Sequence, residues 1–349
     1  MFFYWVMRFS DIIGQEKAKG FFRRVMLEKR IPHAYLFTGI AGIGKTSTAR
    51  ALTMALNCHN PSDMEPCGVC PACRQIMGGN FPDFISIEPD GQNIRIEQIR
   101  ELNRRLSFAP VSAIYRVCVL QQADSMTGEA ANSFLKTLEE PPAGNILILN
   151  AVEPLNLLPT IVSRCQRVPF QPLPVDAMTQ WLVREKKMDP TTAMIAARAS
   201  HGSLGRAIRM CDKQFLTKRD AWISRLLKLP GLSRGDALKM AMELAVKEKV
   251  KASNYRYSGE PGLLDMLALW GAWYRDILAF KVRGPENLIT NVDFTTHLKE
   301  AARSISIEGL IHSLLAVNQA ERDVQRMVNP QLVMANTILK LQRLRGDAP

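Results

Sequence analysis

Short apolar runs alternate with helix-like segments over the first half of the chain. Apolar runs bounded by turn residues predict strands, and they cover residues 34–38, 84–88, 115–121, 145–150 and 167–170. Apolar positions three and four residues apart predict helices between them, at 44–57, 95–107 and 125–140. Strands that alternate with helices are typical of a parallel sheet covered by helices on both faces. We therefore predict an α/β domain over residues 1–170, with its functional edge at the carboxyl ends of the strands.

The second half of the chain has a helical pattern throughout. Residues 171–213 are predicted to form a small helical domain and residues 214–349 a helical C-terminal domain. The longest helices are predicted at 263–281, 305–327 and 331–344. The aromatic residues Trp270, Trp273 and Tyr274 are interpreted as core, and part of their helix face is also a candidate contact with a neighbouring chain.

The apolar strand at 34–38 leads into a glycine-rich loop. Residues 39–46 read GIAGIGKT, which fits the phosphate-loop pattern G-x-x-x-x-G-K-[ST] between a strand and a helix. In such a loop backbone N–H groups surround a phosphate, the lysine reaches the outer phosphates and the hydroxyl ligates Mg²⁺. ATP or ADP with Mg²⁺ is therefore the predicted ligand, and the alternative is a loop that keeps its shape but binds little. The candidate nucleotide-binding residues are Gly39, Gly42, Gly44, Lys45, Thr46 and Ser47.

Four cysteines fall within a short insertion at residues 58–73. Their spacing is C-x8-C-x2-C-x2-C, in which two short steps let thiolates converge on one tetrahedral ion. A site of four cysteines leaves no position open for water or substrate, so a structural zinc ion is predicted. Free thiols and an iron–sulfur centre are the alternatives. The candidate metal ligands are Cys58, Cys67, Cys70 and Cys73. Cys118 lies in an apolar strand and is interpreted as a packing residue, and Cys211, which has no partner in view, is interpreted as a buried residue.

The strand at 115–121 ends in amides where a phosphate-loop NTPase normally carries acids. Gln121 and Gln122 hold the two tip positions, and Asp124 lies farther along. An acid at this tip helps to hold Mg²⁺ near the β- and γ-phosphates, whereas an amide has no charge for the metal. Phosphoryl transfer depends on positioning and electrostatics. We therefore predict that the chain binds ATP or ADP and hydrolyses it weakly or not at all.

The chain of 349 residues carries a formal net charge of +12, which suggests an anionic partner such as nucleic acid. Arg95, Arg100, Arg104 and Arg105 share one predicted helix. Contact with DNA phosphates and a solvated polar face explain this pattern equally well. No run of aromatic residues alternates with these arginines, so base stacking is not predicted.

The chain is expected in the cytoplasm. No apolar run reaches the roughly 18–20 residues that span a bilayer. The apolar start MFFYWVM lacks the basic region and the cleavage site of a signal peptide. Met7 is a plausible true start, and the residues before it are explained either by a misassigned start or by a short tail docked on the body.

A phosphate loop with a four-cysteine insertion directly after its helix resembles the clamp-loader subunits of the bacterial DNA polymerase III holoenzyme, which belong to the AAA+ class. The resemblance extends over the whole chain and is weak only across residues 214–260. The segments that carry it are FSDIIGQEKAK (9–19), RIPHAYLFTG (30–39), NSFLKTLEEPP (132–142), SRC (163–165) and NPQLVMANTILKL (329–341). It implies a P-loop AAA+ domain with a zinc-binding insertion, then a small helical lid domain and an all-helical collar domain for oligomerisation.

The family contains ATPase subunits, of gamma or tau type, and a further subunit type. The amides at 121 and 122 favour the further type, as do Ala151 and Val152 in place of threonines. Gly205 stands in place of an arginine, with Arg206 one step off, and the chain ends at 349 without the long extension of tau. The alternatives are an active gamma- or tau-type ATPase and an AAA+ helicase or branch-migration motor. A motor would assemble into rings, whereas a monomer is expected here.

The resemblance implies a subunit that helps to load the sliding clamp onto primed DNA during replication. Arg164, in the segment SRC, matches the arginine finger that is supplied in trans to an adjacent ATPase subunit; an ordinary surface arginine is the alternative. The implied partners are the gamma or tau ATPases and the delta subunit, with the clamp contacted indirectly and primed DNA through the assembled complex. No membrane partner and no polymerase active site are predicted.

Overall fold

The computed structural model describes residues 8–248, 261–285, 288–326 and 328–346. The chain divides into two compact units, of which one is Met1–Met178 with Gly202–Arg206 and the other is Thr179–His201 with Ala207–Pro349. The three domains expected from the sequence, with boundaries at 170 and 213, stay a prediction. The apolar start MFFYWVM, including Met7, lies outside the described residues.

A five-stranded parallel sheet forms the centre of the first unit. Its strands are β1 (Ala34–Thr38), β2 (Phe84–Ile87), β3 (Arg116–Leu120), β4 (Asn145–Ala151) and β5 (Gln166–Pro169). Their order across the sheet is β2-β3-β4-β1-β5, and each neighbouring pair is parallel. β1, β3 and β4 are buried along their whole length, as expected for strands covered on both faces. Because the strands are parallel, their carboxyl ends lie at the same edge of the sheet. The phosphate loop after β1 and the tip of β3 therefore lie at this edge, with only β4 between their strands.

Helices cover both faces of this sheet. They are α1 (Glu16–Leu27), α2 (Lys45–Asn57), α3 (Pro71–Met77), α4 (Ile96–Leu106), α5 (Gly128–Glu139) and α6 (Pro159–Val162). On one face Leu36 and Leu147 pack with residues of α4 and α5. On the other face Phe37 and Ile148 pack with residues of α1 and α2. Successive residues of a strand point to opposite faces, so each buried strand contributes to two cores. The predicted α/β fold with a parallel sheet is confirmed.

Within the described residues, the chain after β5 is helical. Its helices are α7 (Val175–Lys186), α8 (Pro190–Ala199), α9 (Leu204–Met210), α10 (Lys213–Lys228), α11 (Arg234–Lys247), α12 (Leu263–Lys281), α13 (Thr295–Ser304), α14 (Ile307–Gln325) and α15 (Pro330–Gly346). Trp270, Trp273 and Tyr274 are fully buried in the core of the second unit, so their interpretation as core residues is confirmed. No helix in the described part of the chain is long and apolar enough to cross a membrane.

Helix starts differ from the predicted ones where a capping side chain sets them. The helix predicted at 125–140 begins at Gly128, because the Thr127 side chain accepts a hydrogen bond from the Ala130 N–H. The helix predicted at 305–327 begins at Ile307, after the capping residue Ser306. The sequence pattern does not predict α1. It also misses α3 and α6, which are seven and four residues long, because such lengths show no helical period.

Candidate functional site

The phosphate loop lies between β1 and α2, as its sequence predicts. Gly39, Gly42 and Gly44 have φ values of +139°, +74° and +109°, a region that residues with a Cβ avoid. The helix that follows presents its N-terminus, which favours an anion. Lys45 is buried, and its Nζ donates hydrogen bonds to the carbonyl oxygens of Gly39 and Ile40, the latter at 2.9 Å. The lysine side chain therefore folds back against the phosphate loop.

Three uncharged polar side chains join the start of α2 to the tips of β3 and β4. The Thr46 hydroxyl donates a hydrogen bond to Gln121 Oε1 at 2.9 Å. Asn150 Nδ2 donates to the same Gln121 oxygen at 2.9 Å and to Thr46 Oγ1 at 3.2 Å. Gln121 thus contacts the hydroxyl that would ligate Mg²⁺ in a phosphate loop, and the group that it offers there is a neutral amide.

Asn150 is a site residue that the sequence pattern does not identify. It lies near the end of β4, and it is only 2% exposed. Its strand neighbours Leu149 and Ala151 belong to the core beneath α4 and α5, so Asn150 faces α2 instead. A polar residue directly after the apolar run ILIL of a buried strand is the signal that could have identified it. Ser47 lies in the first turn of α2, and Gln122 has a left-handed φ of +51°.

The segment Gly202–Arg206 packs against the phosphate loop. Ser203 Oγ donates to the Ala41 carbonyl oxygen at 2.7 Å, and the Gly205 N–H donates to the Gly42 carbonyl oxygen at 2.9 Å. A Cβ on Gly205 would lie 3.0 Å from the Gly42 Cα, which is closer than ordinary contact. Gly205 and Gly42 therefore meet through their backbones.

The four cysteines of the insertion converge in space. Their Sγ atoms all lie within 4.8 Å of one another, and a tetrahedral zinc with bonds of about 2.3 Å requires about 3.8 Å between sulfurs. The N–H groups of Cys67, Cys70 and Cys73 donate to the Sγ atoms of Cys58, Cys67 and Cys70 at 3.2, 3.3 and 3.5 Å. Hydrogen bonds from the Val69 and Cys70 N–H groups lower the pKa of Cys67 to about 6. The cluster can therefore hold a metal ion.

The insertion also holds the start of the described chain. Glu65 accepts hydrogen bonds from the N–H groups of Phe9 at 2.7 Å and Ser10 at 3.2 Å. It also forms an ion pair with Arg23 of α1 at 3.2 Å. Phe9 is fully buried beside Phe22. The insertion is therefore coupled to the packing of the segment that precedes the sheet.

Arg164 lies at the surface just after α6. Its side chain is 35% exposed and forms an ion pair with Glu139 at the end of α5, with 2.5 Å between Nη2 and Oε1. Its Nη1 donates to the Thr160 carbonyl oxygen at 2.9 Å. These two contacts orient an otherwise flexible guanidinium at the surface of the first unit.

The arginines on and beside α4, which are Arg95, Arg100, Arg104 and Arg105, are all exposed. Arg104 makes two hydrogen bonds of 2.9 Å to the carboxylate of Glu101. A pair of this kind is typical of a solvated helix face, while the exposure of the four residues also suits phosphate contact. Contact between these arginines and DNA stays a prediction.

Two family models match most of the chain. The model described as "DNA polymerase III, delta subunit" matches residues 14–174, and the model described as "DNA polymerase III, delta subunit, C terminal" matches residues 213–343.

Known proteins match along nearly the whole chain. It is 32% identical over 316 residues to the DNA polymerase III subunit delta' of Bacillus subtilis, covering 90% of this chain and 92% of that protein. It is 29% identical over 358 residues to the DNA polymerase III subunit tau of the same organism, covering 96% of this chain but 61% of that protein. Among solved structures, a DNA polymerase III gamma subunit-related protein from Thermotoga maritima is 19% identical with a TM-score of 0.44, covering 94% of this chain and 99% of that chain.

Proposed function

Because the chain belongs to the DNA polymerase III delta-prime family, we propose that it works in a clamp loader that places a sliding clamp onto primed DNA during replication. Its direct partners are gamma or tau ATPase subunits and a delta subunit. The clamp is contacted indirectly, and DNA through the assembled complex. The similarity to a tau subunit over 96% of this chain supports assembly with related subunits.

The observation that carries the proposed role is the contact between Gln121 and Thr46. In an active P-loop NTPase an acid at this strand tip helps to hold Mg²⁺ close to the β- and γ-phosphates. Here the group that meets the Thr46 hydroxyl is an uncharged amide. We therefore assign to this chain the binding of ATP or ADP without useful hydrolysis, with Lys45 and the glycines of the loop as the phosphate-binding residues.

The isolated chain is expected to hydrolyse ATP far more slowly than roughly one per second, the low end for kinase sites with complete phosphoryl-transfer machinery. The reason is that Gln121 gives the metal no charge. Steady-state phosphate release measures this rate, and Lys45→Ala is the matched control for contaminating ATPases. A turnover near one per second that disappears in Lys45→Ala would contradict the proposal and favour an active gamma- or tau-type ATPase.

Arg164 is proposed as the residue that this chain contributes to the reaction of its neighbour. A guanidinium supplied in trans stabilises the charge on a phosphoryl group in transfer. The ion pair with Glu139 supports this role, because it orients a surface arginine in advance and so reduces the entropy lost on docking. An arginine with no catalytic role would leave the hydrolysis rate of the complex unchanged on substitution.

The metal proposed for the cysteine cluster is zinc, in a structural role. Four thiolates complete a tetrahedral site and leave no position for water or substrate. When bound, the ion would tie the two ends of the insertion together. It would thereby support the contacts of Glu65 with the N–H groups of Phe9 and Ser10.

Purified protein is expected to contain about one zinc ion per chain, and Cys73→Ser much less, because three thiolates leave the tetrahedral site incomplete. Zinc is measured by atomic absorption. Hydrogen exchange at the Phe9 and Ser10 amides should become faster in Cys73→Ser, since the insertion no longer positions Glu65. Cys211→Ser is the matched control, because Cys211 lies outside the cluster. Wild-type protein purified without zinc, or unchanged exchange in Cys73→Ser, would contradict the assignment.

A further inference from the structure

The phosphate loop keeps its groups for phosphate, but amides fill the position next to its metal ligand. Thr46 is the hydroxyl that a phosphate loop uses to ligate Mg²⁺. Its hydrogen is directed to Gln121 Oε1, and its oxygen accepts a hydrogen bond from Asn150 Nδ2. The two amides are also bonded to each other at 2.9 Å. The three side chains therefore form a closed triangle of neutral groups.

This triangle gives a magnesium ion little to bind. Mg²⁺ in nucleotide sites is held by one or two carboxylates together with the phosphates, and both amides lack charge. A metal that takes the Thr46 oxygen as a ligand also has to compete with the hydrogen bond from Asn150. At this position the site therefore binds the complex of nucleotide and Mg²⁺ little more tightly than it binds the nucleotide alone.

The groups that bind phosphate directly do not depend on the metal. Lys45 begins α2, a helix of 13 residues whose N-terminus favours an anion. Its ammonium is bonded to carbonyl oxygens of the loop itself, and a phosphate oxygen is a better acceptor for a charged donor. One lysine and one helix N-terminus suit a diphosphate. A triphosphate brings further negative charge, which metal ions normally neutralise.

We propose that the phosphate loop of this chain is a magnesium-independent site for a nucleoside diphosphate. The inference rests on the proposed binding of a nucleotide by this chain. It does not depend on the arginine that the chain supplies to a neighbour.

The test is calorimetric titration of the full chain with ADP and with ATP, each with Mg²⁺ in excess and with Mg²⁺ omitted. Omission is preferable to a chelator, which would also compete for a metal in the cysteine cluster. The dissociation constants for ADP are expected to agree within about threefold between the two conditions. Without Mg²⁺, ADP is expected to bind more tightly than ATP.

Gln121→Asp places a carboxylate beside Thr46. This variant is expected to bind ADP at least about tenfold more tightly with Mg²⁺ than without it. The matched control is Gln92→Glu, which adds the same charge at an exposed position of the same unit. Its ratio of ADP dissociation constants without and with Mg²⁺ is expected to equal that of the wild type.

Three results would overturn the proposal. One is a wild-type affinity for ADP that falls tenfold or more when Mg²⁺ is omitted. Another is the same magnesium dependence in Gln121→Asp as in the wild type. The third is a failure of ADP to bind in either condition. None of these results affects the role of Arg164, which is measured by ATP hydrolysis at the neighbouring subunit. Likewise, an unchanged hydrolysis rate in Arg164→Ala would leave the comparison of ADP affinity with and without Mg²⁺ unaffected.

Discussion

A clamp-loader complex reconstituted with Arg164→Ala is expected to hydrolyse ATP about 10³- to 10⁵-fold more slowly at the site that adjoins this chain. The loss corresponds to about 4–7 kcal/mol of activation barrier. Its cause is the removal of the positive charge that stabilises the phosphoryl group in the transition state. The measurement is single-turnover hydrolysis with clamp and primed DNA present, after gel filtration has shown that the variant assembles.

Arg167→Ala is the matched control, because Arg167 is an exposed arginine of β5 in the same region. It should hydrolyse at the wild-type rate. Arg164→Lys keeps the charge without the planar fork and is expected to fall between the wild type and Arg164→Ala. Glu139→Gln removes the ion pair but leaves the arginine, so its rate of ATP hydrolysis should be much closer to the wild-type rate than that of Arg164→Ala. Unchanged hydrolysis in Arg164→Ala, or an equal loss in Arg167→Ala, would remove the proposed role.

The sheet could be predicted from the sequence because its inner strands are buried on both faces. The runs AYLFT and NILILN show no alternation of polar and apolar residues, as expected for strands buried on both faces, and both are strands of the structure. The cysteine cluster could be predicted for a different reason. Its ligands lie so close in sequence that the spacing alone constrains their geometry, and the structure brings all four sulfurs together.

The polar contacts that define the site could not be predicted in the same way. Gln121 and Asn150 meet Thr46 across 75 and 104 residues of sequence, and such a contact depends on the order of the strands. The sequence showed that acids were missing at 121 and 122. Only the structure shows that Gln121 bonds directly to the hydroxyl of the phosphate loop, and that Asn150 completes the cluster.

Arg116→Met is expected to destabilise the first unit by about 3–5 kcal/mol. Arg116 Nε donates to Asp83 Oδ1 at 3.1 Å, and the two side chains are 5% and 0% exposed. The other guanidinium nitrogens donate to the carbonyl oxygens of Arg105, Phe108 and Ala109, each at 2.8 Å. Methionine fills a similar volume but leaves a buried charge and three carbonyl groups without these donors. Hydrogen exchange of the β2 and β3 amides measures the loss within this unit.

Arg104→Met is the matched control, because it removes an arginine from an exposed ion pair with Glu101. Such a pair contributes at most about 0.5 kcal/mol, so exchange in the sheet should hardly change. If hydrogen exchange in the sheet changed as little in Arg116→Met as in Arg104→Met, the buried pair of Arg116 and Asp83 would not stabilise the loop between α4 and β3.

The same pair predicts how stability depends on pH. Burial alone raises the pKa of Asp83, but hydrogen bonds from the Ser112 and Val111 N–H groups and from Arg116 hold that pKa below its ordinary value. The unfolded chain therefore takes up this proton at a higher pH than the folded chain. The stability due to Asp83 is complete above the ordinary carboxyl pKa of about 4 and is lost as the pH falls through the lower folded value. Because Arg116→Met removes one of these donors, the pKa of Asp83 in the folded chain should rise, so the stability that is lost on acidification through this group should be smaller than in the wild type. Equal acid profiles for the two proteins would contradict this account.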